Sequence, residues 1–258
     1  MPEFCELERE GRLLIVTLNR PEVLNALHPP ANAELSQVFD DFVADPELAV
    51  AILTGAGERA FSAGADLKYM AEGGSSSSLV SKGFAGITAR FDNPKPLIAA
   101  VNGIAMGGGF ETVLACDLAI ASENALFALP EPRVGLFAAA GGVHRLPRQI
   151  PLKQAMGMIL TGRRVGAEEA FRLGFVTEVV PHDQLMKAAR AWAEQILECA
   201  PLSVRASKQA VMEGLDKTSL REAIETRYDQ LQKMYAHPDS TEGPRAFAAK
   251  RKPDWTGW

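Results

Sequence analysis

Short segments that are almost entirely apolar alternate with helical patterns through the first half of the chain. The segments are "LLIVTL" (13–18), "VAILTG" (50–55), "PLIAAVNG" (96–103), "DLAIAS" (117–122) and "FVTEVV" (175–180). Strands that are apolar along their whole length are typical of a parallel sheet covered on both faces. A helical pattern over 31–46 separates the first two segments. This alternation predicts an α/β fold.

The pattern changes at about residue 183, after which it is helical almost without interruption. We therefore predict a core over 1–182 that carries the functional site, and a helical C-terminal region over 183–258. The apolar residues of this region exceed what a single cap over the core needs, which predicts self-association. The stretch "EGGSSSS" (72–78) is interpreted as a flexible surface loop, with a loop bordering the substrate pocket as the alternative.

Composition excludes several classes of function. The 258 residues are 47% apolar with a net charge of -5, and no basic, aromatic-interleaved run suggests nucleic acid as a partner. No apolar run approaches the roughly 18 residues of a membrane span, and the first residues are acidic. The three cysteines are far apart, which favours a reducing compartment. We expect a soluble cytoplasmic protein without a nucleic acid or membrane partner.

Several familiar motifs are absent or incomplete. "TGAGERA" (54–60) follows a strand and fits GxGxxA, but the residues after it do not read as the helix that a dinucleotide-binding unit needs. "GMILTGRR" (157–164) has Walker spacing without the required Lys and Ser/Thr, and GxSxG is missing. The four histidines lack metal-ligand spacing. No cofactor and no metal are expected.

The stretch "GIAMGGGFETVLACD" (103–117) places one carboxylate in an apolar helix that opens with three glycines. If 107–116 is helical, Glu111 lies one turn above Gly108. The first turn of a helix has unpaired N–H groups and partial positive charge, so Gly108 could donate to a developing oxyanion. The alternative is a helix packed tightly on a neighbour, with Glu111 reaching solvent.

Two further stretches complete the candidate site. "AFSAGADLKYM" (60–70) sets Ala63 and Ala65 ahead of Asp66, a good N-cap, so free N–H groups are expected there too. "FALPEPRVGL" (127–136) holds Glu131 between two prolines that stiffen the backbone, although a solvated loop residue is the alternative. Two backbone donors and two carboxylates, without a nucleophile, suit enolate chemistry beside a thioester.

These residues resemble the crotonase superfamily, and more closely its enoyl-CoA hydratases. The resemblance runs through "LNRPEVLNAL" (18–27), "AFSAGADLK", "AAVNGIAMGGGFE", "CDLAIASENALFALPE", "LTGRRVGAEEAFRLGFV" and "EGPRAFAAKR". It implies a spiral of repeated ββα units, a trimer or dimer of trimers, an acyl-CoA substrate of the kind met in fatty acid metabolism, and no separate cofactor. It also implies an oxyanion hole made by the N–H groups of Ala65 and Gly108, with Glu111 and Glu131 as the catalytic pair.

The resemblance further implies substrate-binding positions, which are Val23, Ala63, Ala65, Asp66, Leu67, Gly108 and Pro130. Because the phosphates of coenzyme A are negative and the chain is too, we expect local cations at the entrance, with Lys68 and either Lys250 or Arg251 as candidates. For the last two, complementing a helix C-terminus is the alternative.

Some segments, among them "GFAGITARF" and "GGVHRLP", look most similar to the carnitinyl-CoA dehydratase branch. In "GLFAAAGG" (135–142), Ala138 and Ala139 stand where hydratases usually carry Pro and then Gly or Asp, which leaves the acyl-chain preference open. Hydration of a 2-enoyl-CoA is the predicted activity. A carnitinyl-CoA dehydratase-type reaction, enoyl-CoA isomerisation and a non-catalytic binding role are the alternatives.

Overall fold

Two β-sheets form the framework of the chain. In the computed structural model, which describes residues 2–73 and 81–258, the first sheet has the strand order β1-β2-β3-β5-β7-β10 and the second the order β4-β6-β8-β9. The strands are β1 (Cys5–Glu10), β2 (Leu13–Leu18), β3 (Val50–Gly55), β4 (Ala60–Ser62), β5 (Leu97–Val101), β6 (Ile104–Met106), β7 (Leu118–Ser122), β8 (Leu126–Ala128), β9 (Val165–Gly166) and β10 (Glu178–Val180). Among the strand pairs of the described residues, only β1–β2 and β8–β9 are antiparallel.

The α-helices flank these sheets and form the C-terminal third. They are α1 (Pro29–Ala44), α2 (Leu67–Ala71), α3 (Gly108–Ala115), α4 (Gly142–Gln149), α5 (Leu152–Thr161), α6 (Ala167–Leu173), α7 (Leu185–Leu197), α8 (Pro201–Gly214), α9 (Leu220–Glu225), α10 (Asp229–Ala236) and α11 (Asp239–Ala248). No helix in the described ranges is long and apolar enough to cross a membrane.

The repeated ββα units expected from the sequence are confirmed. In each repeat, one strand joins the first sheet and the next joins the second: β3 with β4, β5 with β6, and β7 with β8. α2 follows the first pair and α3 the second. Because β4, β6 and β8 are parallel neighbours, the segments that follow them meet at one edge of the second sheet. Those segments carry the candidate site.

Burial on both faces explains why the strands are apolar along their whole length. Leu13 and Ile15 of β2 face one side, where α7 packs with Leu185 and Ala189. Leu14, Val16 and Leu18 face the other side and join the large core of α1 and the second sheet. The first helix of the C-terminal region therefore completes the packing of the six-stranded sheet.

The structure confirms most of the elements predicted from the sequence. The strands at 13–18 and 50–55 have the predicted bounds, and the helix predicted over 31–46 runs from Pro29 to Ala44. The strand at 175–180 is shorter, because Phe175 and Val176 are buried in a connecting segment and pairing starts at Glu178. Of the stretch 72–78, only Glu72 and Gly73 belong to the described residues, where they form a turn.

The C-terminal helices expose large apolar side chains, which are Val211, Met212, Leu215, Leu220, Ile224, Tyr235 and Phe247. Scattered exposed apolar residues are ordinary, but a group of this size is common where another surface covers it. The role of 183–258 in self-association stays a prediction.

Candidate active site

Three consecutive glycines bring the start of α3 into close contact with three different groups. Gly107 has a φ of 52°, and a Cβ there would lie 2.9 Å from Oε1 of Glu131. A Cβ on Gly108 would lie 2.7 Å from the Phe84 ring, and one on Gly109 would lie 2.2 Å from the carbonyl oxygen of Ser62. The start of α3 is therefore packed tightly against its neighbours, as the alternative for the triplet proposed. The candidate site lies at the same place.

The two proposed oxyanion donors lie on adjoining segments. A Cβ on Gly64 would lie 2.9 Å from the backbone nitrogen of Gly108, so the segment leading to Ala65 touches the first residue of α3. Leu27 pairs with Ala65 through bonds that leave the Ala65 N–H unused. Within the described residues, the N–H groups of Ala65 and Gly108 donate to no protein acceptor. Two such donors can receive one developing oxyanion.

Glu111 is buried in the first turn of α3. Its residue is 3% exposed, so the alternative in which the side chain reaches solvent is wrong. Oε1 accepts a 2.8 Å hydrogen bond from the N–H of Gly142, at the start of α4. A Cβ at position 142 would lie 3.0 Å from Cγ of Glu111 and from Cδ2 of Leu129, so glycine lets this N–H approach without displacing either side chain.

Glu131 faces the same region from a short 3-10 helix (Glu131–Val134) that follows β8. The residue is half-buried and its Oε2 atom is fully buried without a hydrogen-bond partner among the described residues. The interpretation of Glu131 as a solvated loop residue is therefore wrong. An unpaired buried carboxylate oxygen is costly unless a substrate or water group meets it.

Burial raises the pKa of both carboxyl groups. For Glu111, desolvation is the main cause and the nearby charge of Glu131 adds to it, while the N–H groups of Gly142 and Ala140 and the Arg145 guanidinium act against it. The pKa of Glu111 reaches about 7. Desolvation also raises the pKa of Glu131. With a pKa of about 7, the Glu111 carboxyl group can hold or release a proton near neutral pH.

Asp66 is the N-cap of α2, as the sequence predicts. Its side chain accepts a hydrogen bond from the Tyr69 N–H at 3.2 Å and forms a 3.0 Å ion pair with Arg20. Burial alone would raise the pKa of Asp66, but these hydrogen bonds and the charge of Arg20 lower it overall. The carboxylate is therefore ionised and fixes the turn that follows Ala65.

The other predicted substrate-binding positions surround this turn or Glu131. Val23 ends a 3-10 helix, and the N–H of Ala63 donates to the carbonyl oxygen of Leu24, the residue after Val23, at 2.9 Å. Leu67 and Lys68 are exposed in α2, directly after Ala65 and Asp66. Pro130 precedes Glu131 and starts its 3-10 helix.

The two C-terminal cations follow α11. Lys250 is exposed in the turn that ends this helix, where its N–H donates to the Phe247 carbonyl oxygen. Arg251 forms a two-pronged ion pair with Glu242, at 2.5 and 2.9 Å. The Arg251 guanidinium is thus engaged by Glu242 within the chain, and a role of Lys250 or Arg251 toward coenzyme A stays a prediction.

The two residues that depart from the hydratase pattern lie on the turn before α4. Ala138 is 4% exposed and belongs to the main core, whereas Ala139 is exposed. The turn leads directly to Gly142, which binds Glu111. The departure therefore lies beside a catalytic candidate.

Sequence reasoning missed three residues of the site. Phe84 packs against Gly108, Gly142 donates to Glu111, and Arg145 lies near Glu111 from the same helix as Gly142. The paired glycines before "VHRLP" were the available signal for a close backbone contact.

Comparison with known proteins decides the family. The enoyl-CoA hydratase/isomerase model matches residues 8–258. The chain belongs to this family. Carnitinyl-CoA dehydratase from Escherichia coli (strain K12) is 45% identical over 264 residues, covering 100% of both chains. The predicted membership of the crotonase superfamily is confirmed.

Solved structures of this family have the same fold. Enoyl-CoA hydratase EchA1 from Mycobacterium marinum has a TM-score of 0.92 at 40% identity, and enoyl-CoA hydratase from Mycobacterium tuberculosis H37Rv has a TM-score of 0.91 at 38% identity, both covering 99% of each chain. The crotonase-like fold predicted from the sequence is confirmed. The relatives are named hydratases and dehydratases, which are lyases. The prediction that this chain is a lyase is therefore confirmed.

Proposed function

We propose that this enzyme adds water to a 2-enoyl-CoA thioester, using Glu111 and Glu131 as its acid–base pair. The observation that carries the proposal is the placement of both carboxylates at the start of α3, beside two unused N–H groups. Gly107 contacts Glu131, Gly108 supplies one N–H, and Glu111 follows one turn later.

The oxyanion site stabilises the charge that develops during addition. The N–H groups of Ala65 and Gly108 donate to the thioester carbonyl oxygen, which gains negative charge as the enolate forms. Removing one such donor typically costs roughly 3 kcal/mol of barrier stabilisation. The partial positive charge at the start of α3 acts in the same direction.

The two glutamates move the protons. One carboxylate takes a proton from water as the water oxygen bonds to the β-carbon and the double-bond electrons shift toward the carbonyl. The other glutamate, protonated, delivers its proton to the α-carbon when the enolate collapses. Water is consumed with no net proton release, and proton exchange between the carboxyl groups restores the starting state. Their raised pKa values support this division of roles.

A second candidate function rests on sequence identity. The chain is 44–45% identical to proteins named carnitinyl-CoA dehydratase and 35–40% identical to solved enoyl-CoA hydratases. Both reactions use the same oxyanion and acid–base chemistry and differ at the acyl end. In the dehydratase direction, the enzyme would remove water from a 3-hydroxyacyl thioester whose γ-carbon carries a quaternary ammonium.

We further propose that the enzyme works in the cytoplasm, as a homotrimer or a dimer of trimers, without a separate cofactor. The three free cysteines support the location, and the exposed apolar side chains of the C-terminal helices support the assembly.

A panel of thioesters tests the proposal. The purified enzyme is incubated with crotonyl-CoA, longer 2-enoyl-CoAs, a 3-enoyl-CoA, crotonobetainyl-CoA and the matching 3-hydroxyacyl-CoAs, and the conjugated thioester absorbance is followed. Preferred turnover of simple 2-enoyl-CoAs supports the hydratase, whereas preferred turnover of crotonobetainyl-CoA supports the second candidate. Tight binding of the thioesters without turnover would contradict both and support a binding role.

A further inference from the structure

Arg145 contacts the surroundings of both the oxyanion hole and Glu111. It lies in the first turn of α4 and is half-buried. Its Nη2 donates to the carbonyl oxygen of Thr88 at 2.8 Å, and its Nη1 donates to that of Ala140 at 3.3 Å. No carboxylate among the described residues forms an ion pair with it.

The guanidinium fits against the turn that leads into α4. Gly141 has a φ of 104°, and a Cβ at this position would lie 2.2 Å from Nη1 of Arg145. A side chain at position 141 would displace the guanidinium, and the positive φ also favours glycine there, so Gly141 lets the turn lie against Arg145. Directly after it, Gly142 donates its N–H to Glu111 at 2.8 Å. Arg145 thus supports the backbone that orients the Glu111 carboxylate.

The second contact of Arg145 leads to the other half of the site. Thr88, whose carbonyl oxygen accepts from Arg145, also accepts a 2.8 Å hydrogen bond at Oγ1 from the N–H of Phe84. The Phe84 ring packs against Gly108, one of the two proposed oxyanion donors. One guanidinium therefore joins the segment behind the oxyanion hole to the turn that holds Glu111.

The charged groups that face Glu111 come from two elements. The charge of Glu131, in the 3-10 helix after β8, and the charge of Arg145, in α4, both act on it. The N–H groups of Gly142 and Ala140 complete its surroundings. The negative charge of Glu131 favours a protonated Glu111, and the positive charge of Arg145 favours an ionised one.

We propose that Arg145 is a positioning residue that holds the Gly142 turn against Glu111 and brings a positive charge to the turn that binds this carboxylate. The inference rests on the proposed acid–base role of Glu111. It distinguishes two functions of one side chain: the hydrogen bonds fix geometry, and the charge sets the pH at which Glu111 exchanges its proton.

Three variants separate these functions. Arg145→Gln removes the charge, Arg145→Lys keeps the charge but cannot make both hydrogen bonds at once, and Arg148→Gln is the matched control. Arg148 is exposed on the same helix and donates only to the carbonyl oxygen of His144. The pH profile of kcat/KM for the best thioester is measured for each, and circular dichroism establishes that each variant is folded.

In Arg145→Gln, the limb assigned to Glu111 moves to higher pH, because the charge that favours ionisation is gone. In Arg145→Lys, that limb stays near its wild-type position. Both variants should lose kcat/KM, because the Gly142 turn no longer holds the Glu111 carboxylate in place. A displacement of about 1 Å would cost about 10²-fold. Arg148→Gln matches the wild type. Equal rate losses in the two Arg145 variants with unmoved limbs would overturn the charge role, and unchanged rates would overturn the geometric one.

A measurement without substrate keeps the inference separate from the proposed function. Infrared difference spectra between the wild type and Glu111→Gln isolate the protonated carboxyl stretch of Glu111, which is titrated with pH. The same titration in the Arg145→Gln background should give a higher midpoint, and in the Arg145→Lys background an unchanged one. An unmoved midpoint in Arg145→Gln would overturn the charge role of Arg145, whereas wild-type enzyme inactive toward every thioester would overturn only the proposed function.

Discussion

The N–H of Gly142 donates to Oε1 of Glu111 across 2.8 Å, joining the start of one helix to the first turn of another. The bond favours the ionised carboxylate, and Arg145 adds to this effect. Burial outweighs both and raises the pKa of Glu111 to about 7. The Glu111 carboxyl group is therefore fixed in position by a hydrogen bond, in surroundings that disfavour its ionisation.

The first prediction concerns stability. Between pH 4.5 and about 7, the folded protein retains the Glu111 proton that the unfolded chain has already released, so the folded state binds more protons. The contribution of Glu111 to the free energy of unfolding is therefore largest below pH 4.5 and decreases as the pH rises to about 7. Glu111→Gln should therefore be more stable than wild type at pH 8, by up to about 3 kcal/mol, and by much less at pH 4. Urea unfolding at both pH values measures this. An equal difference at the two pH values would contradict the raised pKa.

The second prediction concerns rates. Glu111→Gln and Glu131→Gln each keep the shape of the side chain but remove its titrating proton, so each should lower kcat by roughly 10²–10⁴. Because both residues act on one water and one transition state, the double variant should lose less than the sum of the two effects. Steady-state kinetics measures this. An isomerase would depend on one glutamate and tolerate loss of the other, and near wild-type hydration by both single variants would contradict the acid–base assignment.

The third prediction concerns binding of coenzyme A. Lys68 is exposed directly after the Ala65 turn, where a positive charge can meet the phosphates. Lys68→Glu should raise KM about tenfold with little change in kcat, as losing roughly 1.4 kcal/mol of a charge-assisted contact implies. Lys187→Glu, an exposed position on α7, is the control and should leave KM unchanged. An unchanged KM in Lys68→Glu would remove this residue from the site.

The fourth prediction concerns the start of α3. Gly107→Ala introduces a Cβ at 2.9 Å from Oε1 of Glu131 and at a positive φ, so it should lower both kcat and the melting temperature. Gly157→Ala is the matched control, since nothing lies within 4 Å of its added Cβ in α5. That change should be stabilising by about 0.5–1 kcal/mol. Thermal unfolding and kinetics of both variants test the assignment, and a fully active Gly107→Ala would contradict the close contact with Glu131.

The fifth prediction concerns assembly. Light scattering at micromolar concentration should give three or six times the 27.8 kDa chain mass. The double variant Leu215→Glu with Ile224→Glu should lower that mass, because it places charges on the apolar surface proposed to associate. The two residues are 70% and 73% exposed. Asp216→Asn, an exposed neighbour, serves as the control. A monomeric wild type would contradict the prediction.

The strand and helix framework could be predicted from local patterns, because burial on both faces makes β2 and β3 apolar along their whole length. Glu111 could be found because a lone carboxylate in an apolar helix is conspicuous. Its partner Gly142 could not be found that way, since the contact joins positions 31 residues apart. Phe84 is equally hidden: nothing near position 84 indicates that its ring packs against Gly108. Contacts of this kind depend on the arrangement of the sheets.

Each glycine of the triplet at the start of α3 makes room for a different neighbouring group. A side chain at 107 would push against the Glu131 carboxylate, one at 108 against the aromatic ring behind the oxyanion donor, and one at 109 against the carbonyl oxygen that ends β4. The backbone of these three residues therefore joins the acid–base group, the oxyanion donor and the end of β4, with no room for a side chain at any of the three positions.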